Sequence, residues 1–231
     1  MTDFFPHAEL SAVGLNLVAV LDVSTLPANL HDRIAQHYAL AHYRQLILIG
    51  HAGKDFWNAM QASGPAEEDP VDTFTRRQVT KILTSAMQDR RYELLYPGAV
   101  PLDLQALGTL AGWHHASPFW VGINARHGSW FAYRALVLAD SEFPVSTPLS
   151  EPSPCNSCTD TPCIRACPSN AMEAGQFHIQ RCIEWRRQPE SPCRYQCLAR
   201  NACPVGQDSR YDTEQMRHHY TASIKFIERH L

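Results

Sequence analysis

The sequence predicts an α+β protein in two parts, a sheet domain followed by a small cysteine-rich module. All eight cysteines of the 231-residue chain fall between Cys155 and Cys203. The part before them alternates short apolar runs, rich in strand formers, with stretches of helical periodicity. A proline-rich stretch carrying Pro144, Pro148, Pro152 and Pro154 lies between the two. The expected boundaries are residues 1–145 for the sheet domain, 146–154 for a linker, 155–207 for the module, and 208–231 for a closing helix that packs back on the first domain. A chain of this length suits one sizeable core with a small appended module.

Composition narrows the function classes. With 45% hydrophobic residues, 19% charged residues and a formal charge of −3, the balance is that of an ordinary soluble protein, and nothing in it calls for nucleic acid. No apolar run approaches the roughly 18 residues of a membrane span, so no membrane partner is expected. Clustered thiols, and no signal-peptide pattern in Met1–Asn16, predict a reducing, cytoplasmic setting.

In chain order, Leu15–Leu21 and Gln45–Gly50 read as strands, with Leu30, Ile34, Tyr38 and Ala41 at helical spacing between them. Ile49-Gly50-His51-Ala52-Gly53 has the look of a strand edge where backbone meets a ligand, with an ordinary turn as the plainer reading. Glu67-Glu68-Asp69-Pro70-Val71-Asp72 predicts a helix start: Asp69 caps, Pro70 takes the first helical position, and Asp72 sits near the positive end of the dipole. Val71, Phe74, Val79, Ile82, Leu83 and Met87 give that helix an apolar face to about Arg90. Glu93–Tyr96 is a further strand, and Leu102–Gly112 a helix buried through Leu104, Leu107, Leu110 and Ala111. His114 and His115, just after it, are candidates to face a cofactor.

Phe119–Asn124 and Ser129–Leu138 read as paired strands around a turn at Ala125–Gly128. Period-two alternation puts Trp130, Ala132 and Arg134 on one face and Phe131, Tyr133 and Ala135 on the other. A cation on so apolar a strand needs a partner, either a structural carboxylate or an anionic ligand. The closing helix starts near Asp212-Thr213 and buries Met216, Tyr220, Ile224 and Ile227.

The cysteines form two runs, Cys155-x2-Cys158-x4-Cys163-x3-Cys167-Pro168 and Cys182-x10-Cys193-x3-Cys197-x5-Cys203-Pro204. Two runs of four thiols, each ending in Cys-Pro, suit a chain folded around two [4Fe-4S] clusters, because each cluster takes four thiolates. In the two-cluster ferredoxin pattern the Cys before Pro crosses to the other cluster. That predicts Cys155, Cys158, Cys163 and Cys203 on one and Cys167, Cys182, Cys193 and Cys197 on the other. Zinc is the better rival reading and disulfides the weaker one. Arg165, Arg181, Arg186, Arg187, Arg194 and Arg200 interleave the thiols, either offsetting the charge of anionic clusters or forming a docking face for an acidic electron donor.

Three stretches resemble the CblC family of cobalamin-processing proteins: Glu68-Asp69-Pro70-Val71-Asp72, then Gly122-Ile123 with Gly128-Ser129-Trp130-Phe131-Ala132-Tyr133-Arg134, then Arg210-Tyr211-Asp212-Thr213-Glu214-Gln215. The resemblance implies a flavin-reductase-like or nitroreductase-like α+β fold that binds cobalamin and removes its upper axial ligand, with glutathione or flavin as helper. It also implies that Trp130 lines the cobalamin pocket, Gly122 allows close approach, and Arg134 and Arg210 contact glutathione. This chain departs in its eight cysteines and in Trp113-His114-His115. The cysteine module is similar to that of epoxyqueuosine reductases and reductive dehalogenases, whose two clusters feed a cobalamin. Together these imply an oxidoreductase that passes electrons from two clusters to a corrinoid, supplied by a donor such as a flavodoxin or ferredoxin reductase. The alternatives are a corrinoid-dependent reductase of the epoxyqueuosine kind, or a carrier that hands a corrinoid on without turnover.

Overall fold

The computed structural model describes residues 4–64, 69–173 and 175–230. Glu67 and Glu68 of the expected helix start lie outside the described residues. The chain divides into two compact units, Met1–His114 with Phe131–Ser150, and His115–Trp130 with Glu151–Leu231.

The first unit is built on four antiparallel strands, β1 (Leu17–Asp22), β2 (Gln45–Ala52), β3 (Tyr92–Tyr96) and β4 (Phe131–Ala139), in the order β1-β2-β4-β3. Every residue of β2 is buried, as a central strand covered on both faces must be. On one face, Val20, Ile47, Ile49, Ala135, Val137 and Ala139 meet α1 (His7–Ala12), α3 (Asp55–Ala62) and α4 (Pro70–Met87) through Leu10, Phe56, Phe74 and Leu83. On the other, Leu46, Leu48, Leu136 and Leu138 meet α2 (Ala28–Ala35) and α5 (Leu104–Leu110) through Leu30, Ile34 and Leu107. Each such fully buried Leu or Ile contributes about 1.5–3 kcal/mol, so burial on both faces holds the sheet between its helices.

The α4 start is as the sequence predicts: the Asp69 carboxylate accepts from the Asp72 backbone N–H at 3.4 Å, and Pro70 opens the helix. The expected helix through Ala41 stops at Ala35, because a 3-10 turn at Leu40–His42 brings Leu40 onto the face that Leu30 and Ile34 already serve. Gly50 does not open toward a ligand. An added Cβ there would lie 2.8 Å from the Ala132 carbonyl oxygen, so this glycine permits close approach of β4.

Two further expectations change. A β-bulge in β4 at Arg134 shifts the register between Ile49↔Ala135 and Gly50↔Tyr133. Side-chain parity inverts there, so Ala135 turns to the α4 side while Phe131 and Tyr133 keep to the α5 side. The stretch expected as a linker is pinned. Ser146 donates its backbone N–H to Val20 at 2.9 Å and accepts from the Val20 N–H through its hydroxyl, also at 2.9 Å.

The second unit holds α6 (Pro162–Arg165), β5 (Met172–Glu173) paired with β6 (Gln176–Phe177), α7 (Ile179–Arg187), α8 (Leu198–Ala202) and α9 (Thr213–His230). Residues 119–130 belong here and do not form a hairpin with β4. The reason is local: the Asn124 side-chain oxygen accepts from the Arg126 and His127 N–H groups at 2.9 and 3.0 Å, and Asn124 and Gly128 bond each other. The segment therefore curls on itself. The closing helix α9 is capped by Asp212 at the Gln215 N–H (2.8 Å), and its Ile224 and Ile227 pack on Ile183 of α7. Among the described residues no helix is long and apolar enough to cross a membrane.

Candidate metal centres: two rings of thiols

Cys155 and Cys158 sit at a 3-10 turn, Pro154–Ser157, whose start is held by the Ser153 hydroxyl accepting from the Cys155 N–H at 3.3 Å. Cys163 lies inside α6 and Cys167 just past its end, while Cys197 caps the start of α8 and Cys203 follows its end. The two short helices pack side by side. The result is two thiol-lined cavities in this unit. One, of about 50 Å³, is lined by Cys155, Cys158, Cys163 and Cys203. The other, of about 280 Å³, is lined by Cys167, Cys182, Cys193 and Cys197. The last cysteine of each run thus crosses to the other run's ring.

All eight thiols are free. Among the described residues no three metal-ligating side chains converge closely enough to grip one ion. Four sulfurs spread around a cavity fit a multi-iron cluster, whereas zinc wants four ligands converging at about 2.3 Å. Electrostatics sort the thiols the same way. Burial first, and then Cys203 and Cys158 of its own ring, push the Cys155 thiol up, while the Ser153 hydrogen bond opposes this. Cys163 is raised by burial and then by Cys203. Cys182 is pushed up to about 11 by burial and then by Cys197, and Cys193 is raised by burial with Cys197 and Cys167 adding to it. Thiols raised mainly by burial in this way need metal charge to hold them as thiolates.

Of the six interleaved arginines, Arg186 and Arg200 are buried, each 8% exposed, and both line the second cavity. Arg186 donates to the Cys193 carbonyl at 3.3 Å and to the Ser223 hydroxyl at 3.1 Å, with its guanidinium 5.1 Å from the Tyr220 ring centre. Arg200 donates to the Ser129 hydroxyl at 3.1 Å and lies 4.3 Å from the Trp130 ring centre and 4.9 Å from that of Tyr211. Its backbone N–H points at the Cys197 sulfur at 3.4 Å. By contrast Arg181 pairs with Glu173, and Arg194 with Glu228 at 2.7 Å, nearer the surface.

The residues expected to meet a corrinoid fall in both units. Trp130 is fully buried, sandwiched by Arg200, Arg210 and Tyr211, so in this structure it is a packing centre of the second unit. Arg210 donates to the Asn201 carbonyl at 2.9 Å, which ties it to α8. Gly122 is buried, and His115 bridges Ile123 through its backbone. In the first unit, His114 Nδ1 lies 3.2 Å from the Tyr133 hydroxyl, whose pKa burial raises, with Asp103 adding to it. Arg134 donates through Nε to His51 Nδ1 at 2.9 Å, and both stack on Phe56. The bulge is what aims Arg134 there. Around it, burial and then Asp69 raise the Asp72 carboxyl, with Arg134 and Arg76 opposing. Burial and then Asp72 raise Tyr96. The side chains of Tyr96 and His51 carried no functional signal in sequence, though both lie in stretches it marks as strand or strand edge; the bulge and the α4 start bring them to Arg134.

No protein-family profile and no curated protein matches the sequence. Solved structures do match. A selenomethionine-labelled epoxyqueuosine reductase superposes with a TM-score of 0.57 at 16% identity, over 91% of this chain and 67% of its own. Another epoxyqueuosine reductase, with an epoxyqueuosine-modified tRNA stem loop, gives 0.56 at 16% identity over 91% and 66%. A reductive dehalogenase linked to B12-dependent dehalogenation gives 0.50 at 13% identity over 93% of this chain and 33% of its own. The chain therefore spans about two thirds of the length of the former and one third of the latter. What it shares with them is the mixed α/β fold with its small antiparallel sheet.

Proposed function

We propose that this chain is an iron–sulfur oxidoreductase in which two four-iron clusters deliver single electrons to a corrinoid, the corrinoid serving as cofactor for reduction of a further substrate. The observation that carries the reading is the pair of thiol rings with crossed last ligands. Cys155, Cys158, Cys163 and Cys203 would hold one cluster, and Cys167, Cys182, Cys193 and Cys197 the other. Bound clusters supply one-electron transfer at potentials as low as roughly −700 mV, which suits cobalt reduction better than a dithiol does. The chain's own part is positional. Crowded rings hold the sulfurs, buried guanidiniums offset charge at the second ring, and Arg134 with Asp72, Tyr96 and His51 forms a polar, protonatable group in the first unit.

The likeness in fold to a B12-linked dehalogenase and to epoxyqueuosine reductases supports a corrinoid as cofactor. The CblC-like stretches around Asp69–Asp72 and Gly128–Arg134 favour a second reading, in which cobalamin is the cargo and loses its upper axial ligand. The test is anaerobic purification with iron, zinc and cobalt counted per chain, followed by EPR and then addition of cobalamin to dithionite-reduced protein. Expected are two clusters per chain and a spectral change in the corrinoid. Zinc in both rings, or an unchanged corrinoid spectrum, overturns the proposal. Multiple turnovers of a second substrate, a modified tRNA among those tried, favour cofactor; one turnover per cobalamin favours cargo.

A further inference from the structure

The two rings have the same four ligands but different surroundings. Beside its thiols the first is lined by Phe119, Ile123, Pro154, Thr161, Pro162 and Val205 among others, with no charged side chain. The second is lined by both buried guanidiniums, Arg186 and Arg200, together with His219 and Tyr220. No carboxylate neutralises either arginine among the described ion pairs; their donors go to Ser129, Ser223, Tyr220 and backbone carbonyls. Backbone N–H groups reach sulfur in both rings, from Ile164 to Cys163 and from Leu198 to Cys193; the second ring also has the Arg200 N–H at Cys197 and the Ser169 hydroxyl beside Cys167, both at 3.4 Å, which act in the same direction as its charge. Charge separates the two further. One-electron reduction adds a negative charge to a cluster, which an apolar wall disfavours and a nearby buried cation favours.

Resting on the reading that both rings hold four-iron clusters, we propose that Arg186 and Arg200 make the cluster at Cys167, Cys182, Cys193 and Cys197 the higher-potential centre. The cluster in the apolar ring is the stronger reductant. Each cluster takes up one electron, supplied in the titration by dithionite. An electron arriving at either therefore resides at the second ring, and only doubly reduced protein carries the full driving force.

The test is an EPR-monitored redox titration of the anaerobic, cluster-loaded full chain, with Arg186→Gln, Arg186→Lys and Arg200→Lys. Two couples are expected in the parent. Arg186→Gln should lower the upper couple and move the lower one by less than half as much, while Arg186→Lys, which keeps the charge, should largely restore it. Arg200→Lys, retaining charge under Trp130, should leave the upper couple near the parent value. For Arg186→Gln, movement of the lower couple instead, equal movement of both, or no movement overturns the inference. Should Arg186→Gln fail to hold iron, the Arg186→Lys titration and the parent's two couples still decide it: a single shared potential in the parent refutes the ordering. Protein that holds no iron at all defeats the cluster reading itself, a separate outcome.

Discussion

Gly206 and Gly128 cross where the segment after Cys203 meets the Asn124–Gly128 turn, and replacing Gly206 by alanine tests whether that crossing positions the ring. Gly206 has φ +69°, and its added Cβ would lie 2.1 Å from the His127 carbonyl carbon; Gly128 has φ +58°, and its Cβ would lie 2.2 Å from the Val205 carbonyl oxygen. A left-handed conformation costs an L residue about 1–2 kcal/mol. Relieving an overlap with backbone costs a further ~1–3 kcal/mol. Gly206→Ala should therefore destabilise by about 2–5 kcal/mol, a large share of a typical ~5–15 kcal/mol. Gly175 is the internal control: it has φ +75° but nothing within 4 Å of its added Cβ. Gly175→Ala carries only the strain, about 1–2 kcal/mol, partly offset by ~0.4–1 kcal/mol of lost unfolded-state entropy. Urea midpoints of anaerobically purified protein compare the two directly. Because both glycines meet at one contact, Gly128→Ala with Gly206→Ala should cost less than the sum of the singles. Equal costs for Gly206→Ala and Gly175→Ala would refute the reasoning.

The crossed ligands give a second prediction. Cys203→Ala should remove the cluster of the ring that holds Cys155, and Cys167→Ala that of the ring that holds Cys182, each halving iron to about four per chain; Cys203→Ala should lose the same EPR signal as Cys155→Ala, and loss of a different signal would disprove the crossing. A third concerns pH. Burial first, and then Arg126, hold the His127 imidazole below its ordinary value of 6.5, with Glu151 opposing. The unfolded chain then binds the proton more readily, so this contribution is whole above about pH 6.5 and is lost as pH falls through the lower folded value. His127→Gln should flatten the parent's fall in stability over that window, read as urea midpoints from pH 7.5 to 5; an unchanged slope would show that His127 does not report there.

Much of the first unit was legible because its signals are local. Asp69-Pro70 announces a helix start through one cap and one missing N–H, and the runs at Leu17 and Gln45 are too apolar for anything but a covered sheet. The α2 helix was read too long because Tyr38 and Ala41 keep helical spacing while the chain is already turning. The strand pairing of residues 119–124 was misread because Asn124 satisfies two backbone donors by itself, a bond that no alternation pattern reveals. Arg134 was visible as an oddity, but its partner depended on a bulge that shifts register by one residue.

Spacing of the cysteines, with Pro168 and Pro204 behind the last of each run, by itself divides eight thiols into two fours, because a short loop presents only about three to one centre; the exchange of their last members is an expectation taken from the two-cluster ferredoxin pattern. It could not say which of six arginines mattered. Only the folded chain decided that, since burial beside a cavity depends on what α7 and α8 pack against, and a guanidinium changes an electron's energy only where water is kept from screening it.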